Sequence, residues 1–458
     1  MKKIKAQPRR PSAKARPAPR KKKKKPSLPK VAVRGPLPRA LSFFQKETDQ
    51  SLLFWAAIAL LNFSAQIIFR HELAPGAFGR LNTALGIVGL VTVPALSFHL
   101  ALTHYLAQKH APVRGEYLRQ LRASASIVVQ TFAWISVALS FLLLPLVLPM
   151  LGLRHFPICL FTILNVLIAT GSIVSAAICQ SKKQLPLWTL LLVGAAVIRL
   201  ILGGGLAWWQ PWAESVLAAF LLAGLITLIP TLRQIEVEPA WTKTWQSMRD
   251  RDFLIYLGAT FSVVLALFLF SSADRIVAQS WFGSPTNNNL GFVNWVDIDG
   301  YQTAGLLGRG LLWGTQPLLL LLFAQRSRLH HTTLASLKFF WIYLGALLFG
   351  ALLLGLLGRP LSWIFCGADY QVSAGLVPTF AMVMVPLGLL QALAIFSLAS
   401  RRYPECFVLG VSSVAYLILL YNVGRRPELM LAYMFGGALC SLMMVLFVGV
   451  VRWGRQQP

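Results

Sequence analysis

The chain has 458 residues, of which 56% are hydrophobic and 13% charged, and its formal net charge is +28. A soluble domain carries about a quarter charged residues, so this composition excludes a soluble globular protein and indicates a polytopic membrane protein. The cysteines Cys159, Cys179, Cys366, Cys406 and Cys440 are scattered, with no CxxC and no Cys/His cluster. No metal site, no cofactor and no disulfide framework is therefore expected.

Residues 1–46 contain no Asp or Glu and hold much of the positive charge, including Lys2, Lys3, Arg9, Arg10, Lys21 to Lys25, Arg34 and Lys46. They are rich in Pro and Ala and cannot pack a core. No apolar h-region of a secretory signal follows the charges. The expectation is a disordered basic cytoplasmic tail drawn to anionic lipids, at about 1 kcal/mol per basic residue near the surface. No aromatic-interleaved or folded module accompanies the Lys run, so nucleic acid is not an expected partner.

A membrane-crossing helix needs about 20 apolar residues, and this rule gives roughly 12 spans. The first block holds Ser51–Phe69, Leu81–Thr103, Ser126–Leu151, Phe156–Gln180, Leu185–Trp208 and Trp212–Leu232. The second holds Phe253–Ser272 (extendable to Trp281), Gln302–Ala324, Thr333–Gly358, Leu376–Ser400, Cys406–Val423 and Leu429–Val451. A polar linker, 233–252, separates lobe 47–232 from lobe 253–458. The expected fold is all-α, with two six-helix lobes related as parallel pseudo-repeats around a central cleft. Lys and Arg favour alternate loops, with Lys109, Arg114, Lys182, Lys183, Arg233 and Lys243 on the tail side. By the positive-inside bias both termini are cytoplasmic. Trp208, Trp209, Trp212 and Trp363 fall near span ends, where amphipathic rings prefer the head-group level.

Charge inside the spans is rare and therefore informative. The run Phe253 to Phe282 is apolar until the adjacent pair Asp274 and Arg275. A charge at bilayer depth costs about 3 kcal/mol or more, so such a pair must be buried, paired or wetted. Arg199 lies in VIRLILGGG of the fifth span, roughly 20 Å from its tail-side start. Arg309 lies in LLGRGLLW, about 10 Å into the eighth span. Arginine suits phosphate because its fork donates two hydrogen bonds and stays charged when buried. Arg199, Arg275 and Arg309 are thus candidate contacts for an anionic substrate, and Asp274 a coupling site or ion-pair partner. A structural ion pair, such as Asp274 with Arg309, is the competing reading, and for Arg199 snorkelling to the interface is another.

Other polar groups have structural readings. His99 fits an interfacial hydrogen bond or a proton relay. Asn62, Gln66, Asn165 and Gln391 fit hydrogen bonds across helices. Pro94, Pro386 and Gly258 fit kinks or hinges. The polar stretch Ser284–Gly300, with Asp297 and Asp299, fits a solvated outer turn or a lip over an outward opening. It also holds the only convincing carboxylate pair in a loop, so a membrane glycosyltransferase is a rival reading. The loops are otherwise short, and an enzyme is not expected.

Three stretches carry a resemblance: LAPGAFGRLNTALGIVGLVTVPA (Leu73–Ala95), SSADRIVAQSWFG (Ser271–Gly283) followed by GYQTAGLLGRGLLW (Gly300–Trp313), and LSWIFCGADYQVSAGLVPTFA (Leu361–Ala381). In order and helix number they resemble the polysaccharide-transport, Wzx-like branch of the multidrug/oligosaccharidyl-lipid/polysaccharide (MOP) flippase superfamily. The likeness runs from about Ser51 to Val451. The Ser284–Gly300 insertion and the basic tail depart from the family pattern, and the expected span count differs from that of the fourteen-helix peptidoglycan-precursor flippases. The resemblance implies a flippase of the cytoplasmic membrane. Its cargo would be a polyprenyl-pyrophosphate-linked oligosaccharide for surface polysaccharide, moved by alternating access, with Na⁺ or H⁺ as a coupling ion. The alternative is a cation-coupled small-molecule antiporter of the same superfamily.

Overall fold

The computed structural model describes residues 39–108, 155–181, 185–232, 251–282, 295–328, 333–367, 370–423 and 426–456, with the isolated positions 138 and 153. Residues 1–48 and 49–458 separate as two units, and every contact below lies within the second. Eleven helices and no strand occur among the described residues. They are α1 (Arg39–Glu72), α2 (Ala77–Gln108), α3 (Phe156–Ser181), α4 (Leu185–Trp209), α5 (Ala213–Leu232) and α6 (Arg251–Phe282). The rest are α7 (Trp295–Arg328), α8 (Thr333–Cys366), α9 (Tyr370–Ala399), α10 (Tyr403–Val423) and α11 (Pro427–Gln456).

The chain is an all-α polytopic membrane protein. Nine of these helices are long and apolar enough to cross a membrane. The nine are α2 to α6 and α8 to α11. The expected third span, 126–151 apart from position 138, residues 1–38 of the expected tail and residues 233–250 of the linker lie outside the described residues. Helix α1 begins at Arg39, inside the stretch whose composition reads as tail.

Helix boundaries differ from the hydropathy reading in instructive ways. Helix α6 runs unbroken past Asp274 and Arg275 to Phe282, the longer of the two extents expected for this span. Helix α8 continues through Pro360 to Cys366 and ends at Gly367, whose φ of 58° suits a glycine after a helix. Helix α7 starts at Trp295, so the last six residues of the expected outer turn are helical. Asp299 is consequently buried, not solvated.

Helices α2, α3, α4 and α5 pack in sequence neighbourhoods, as do α6 to α11. Helix α2 runs along α6 and also touches α7, joining the two sets. Small residues permit that approach. A Cβ on Gly89 would sit 2.5 Å from the Phe268 ring, and one on Gly86 would sit 3.3 Å from Ile276. Such close backbone approach supplies the packing that drives helix association in lipid. Large apolar side chains point outward, among them Trp341, Phe349, Leu356, Met443 and Phe447. In water so large an apolar surface would aggregate; against lipid tails it is the solvated face. Trp208, Trp209 and Trp212 project at the α4–α5 turn. Asn165 donates from α3 to the Leu217 carbonyl of α5 at 2.9 Å. His99 lies 3.0 Å from the Ile173 carbonyl through Nδ1.

Candidate functional site

Asp274 and Arg309 form a buried ion pair between α6 and α7, with side chains 0% and 2% exposed. The Arg309 guanidinium donates to Asp274 Oδ2, and its Nε donates to the Ser271 carbonyl. Tyr301, two turns earlier on α7, donates its hydroxyl to the same carboxylate oxygen at 3.1 Å. That hydroxyl also lies 3.0 Å from Met430 Sδ on α11. Phe380 of α9 closes the group, 5.2 Å from the Tyr301 ring and 5.9 Å from the guanidinium. The glycine-rich register of α7 makes this possible. The Arg309 side chain folds back over Gly305, where a Cβ would meet Nη1 at 2.5 Å. Asp274 Oδ1 has no hydrogen-bond partner.

Arg275 follows Asp274 but points elsewhere. Its guanidinium lies 6.0 Å from the Trp313 ring centre, and its Nε has no partner. Its backbone carbonyl accepts from Thr83 of α2 at 3.3 Å and from Gln302 of α7 at 3.1 Å. Arg275 thus marks the level at which three helices meet.

One turn further along, a second polar group joins the same helices. Asp299 of α7 accepts from the Gly76 amide at 2.7 Å and the Gly79 amide at 2.8 Å, capping the start of α2. The Gly76 φ of 76° is a left-handed conformation that favours glycine. Burial pushes the Asp299 carboxyl above the usual carboxylate range, while Arg70, the two amides and Arg80 pull it back. Gln279 of α6 is buried beside this cap, and neither of its amide atoms has a partner.

Arg199 is not part of either group. It sits on α4 with its guanidinium 5.0 Å from the Phe220 ring of α5, and its Nε has no partner. The main packing partner of α4 is α5, not α6 or α7. The structure therefore brings together Asp274, Arg275 and Arg309 and leaves Arg199 in the other helix set. Sequence reasoning missed Tyr301, Gln279, Gln302 and Asp299 as members of the polar interior. Tyr301 follows Gly300 in a quoted motif, so a signal existed for it. Gln279 and Gln302 lie near the ends of apolar runs and read as ordinary polar residues. No group of three or more His, Cys, Asp or Glu that could hold a metal occurs among the described residues.

No protein-family model matches the chain, and no curated protein matches it. Solved structures do. The lipid II flippase MurJ in an inward closed conformation matches with a TM-score of 0.63 at 13% identity, over 86% of this chain and 87% of that one. The expected span count differs from that of peptidoglycan-precursor flippases, yet the fold is shared. A multidrug resistance MATE family transporter of the MOP superfamily, inward-facing, matches with a TM-score of 0.56 at 13% identity, over 89% and 98%. The Vibrio cholerae MATE transporter VcmN in its bent form matches with a TM-score of 0.54 at 14% identity, over 89% and 97%. The chain therefore has the fold of MOP-superfamily transporters.

Proposed function

We propose that this protein flips an amphiphile with an anionic head group across the cytoplasmic membrane by alternating access. The cargo we favour is a polyprenyl-pyrophosphate-linked oligosaccharide for surface polysaccharide. The observation that carries the reading is the basic surplus within the spans. Arg199, Arg275 and Arg309 stand against Asp274, since the buried carboxylate of Asp299 is taken up by the two amides at the start of α2. Two of the three, Arg199 and Arg275, have an unpartnered Nε and a ring beside the guanidinium. A membrane protein keeps such groups where a ligand of opposite charge needs them. The fold shared with a lipid II flippase supports the same reading.

In this reading Arg275 and Arg199 meet the pyrophosphate from the two helix sets in turn. Arg309 reaches an anion only when its pair with Asp274 opens. A second reading is a cation-coupled antiporter, and the unpartnered Asp274 Oδ1 favours it, since a spare acceptor can take Na⁺ or H⁺. Both termini on the cytoplasmic side and a tail held on anionic lipid belong to the same proposal. No bond is made or broken.

The test is flipping in liposomes of a fluorescent polyprenyl-pyrophosphate oligosaccharide. Wild type is expected to flip it, while Arg199→Ala and Arg275→Ala lose at least about tenfold at matched folded protein, as for a lost charged contact. Wild type inert on this lipid, but moving a cationic dye down a Na⁺ or H⁺ gradient, would replace the flippase with the antiporter.

A further inference from the structure

The cap on α2 comes from the other helix set. Asp299 belongs to α7, whereas Gly76 and Gly79 belong to the first set, more than two hundred residues away in sequence. A cap is normally supplied by the residue just before the helix. Here a carboxylate takes that role across the junction on which the two sets meet. The fit is close: a Cβ on Gly79 would lie 3.0 Å from Ile298 and 3.1 Å from Gln279 Oε1. The Thr83 hydroxyl, at 3.3 Å from the Arg275 carbonyl, crosses the same junction.

The junction also contains groups that a permanent seam would not. Gln279 is 0% exposed, and both its amide atoms lack partners. Gln302 is 1% exposed, and its Oε1 lacks one. Buried polar atoms without partners destabilise the state that holds them. Water would satisfy all three atoms if α2 drew away from α6 and α7. Separation would at the same time strip Asp299 of its two amides and leave the start of α2 uncapped. The closed junction gains the cap and loses the glutamines; the open one does the reverse. Opposed terms of this kind make two discrete states comparable in free energy.

We propose that Asp299 is the latch of a reversible gate between the two helix sets, with Gln279 and Gln302 as the groups that keep the gate openable. The gate lies at the end of the bundle where α1 passes into α2 and where α6 finishes. The structure holds it shut. This inference rests on alternating access, and it locates one of the two seals that such a cycle requires.

The experiment follows opening without any cargo. Thr83 is fully buried in the junction, so Thr83→Cys reports separation of α2 from α6. The full-length protein is reconstituted in liposomes and treated with a charged, water-soluble maleimide. Labelling of each cysteine is read by peptide mass spectrometry. Native Cys406, 0% exposed in the first turn of α10, reports global unfolding. Thr83→Cys alone should label slowly. Adding Asp299→Asn removes a charge-assisted cap and should speed labelling of Cys at 83 about tenfold or more, with Cys406 still protected. Adding Gln279→Leu removes the orphaned amide and should slow it severalfold. An unchanged rate in the Asp299→Asn chain with Cys406 protected overturns the latch. If that chain unfolds, the Gln279→Leu chain decides, and a rate equal to or above that of Thr83→Cys alone overturns the gate. A responsive gate in a protein that flips no lipid would instead count against the cargo assignment.

Discussion

At the scale of single residues, the Asp274–Arg309 pair shows what a charge inside a membrane protein demands. Neither member reaches solvent, and each is the other's main partner. Removing one leaves an uncompensated buried charge, which costs about 3–5 kcal/mol. Asp274→Leu or Arg309→Met alone should therefore lower stability by about that amount in detergent unfolding. The double variant should lose much less, because no charge is left alone. Additive losses in the double variant would mean that the two residues act independently. The sequence showed both charges and allowed a pair between them. It could not show that Arg275, the neighbour of Asp274, turns the other way toward Trp313. Adjacent positions on a helix do not share a face.

At the scale of elements, glycines decide how closely helices meet. A Cβ on Gly224 of α5 would fall 2.4 Å from Ile168 Cγ2 of α3. Overpacking of this kind costs about 1–3 kcal/mol. Gly224→Ala should lower the unfolding temperature, and Ile168→Ala in the same chain should recover part of the loss. If the second change only destabilises further, the α3–α5 contact relaxes by another route. Glycine on an apolar run is visible in sequence, but its role is not. Gly194 and Gly205 of α4 have nothing within reach of a Cβ, whereas Gly203 between them would meet the Phe69 ring at 2.8 Å. Only the packed neighbour separates these cases.

At the scale of the whole molecule, the distribution of charge is lopsided. The basic residues of the first 46 positions have no acidic neighbours in that stretch. A segment of that kind is drawn to an anionic surface through a screened, salt-sensitive attraction. In proteoliposomes, trypsin should cut within residues 1–38 more slowly on anionic than on zwitterionic lipid. High salt should erase the difference. Equal cutting on both lipids at low salt would rule out lipid attachment of the tail.

Apolar run length, loop charge and the order of motifs are local properties. From them the sequence by itself determined a many-helix membrane protein with charges inside its spans and a resemblance to MOP flippases. Helix ends were legible where a glycine or a charge stopped the run. They were not legible at α7 and α8, which run on beyond the apolar stretch that marked them. Only the tertiary structure decided that Asp274 pairs with Arg309 and Tyr301, that Arg199 lies apart, and that Asp299 caps a helix of the other set. Each depends on which distant segments share a space. That is a property of the packed whole, because a buried polar group takes whatever partner the fold places within about 3 Å of it.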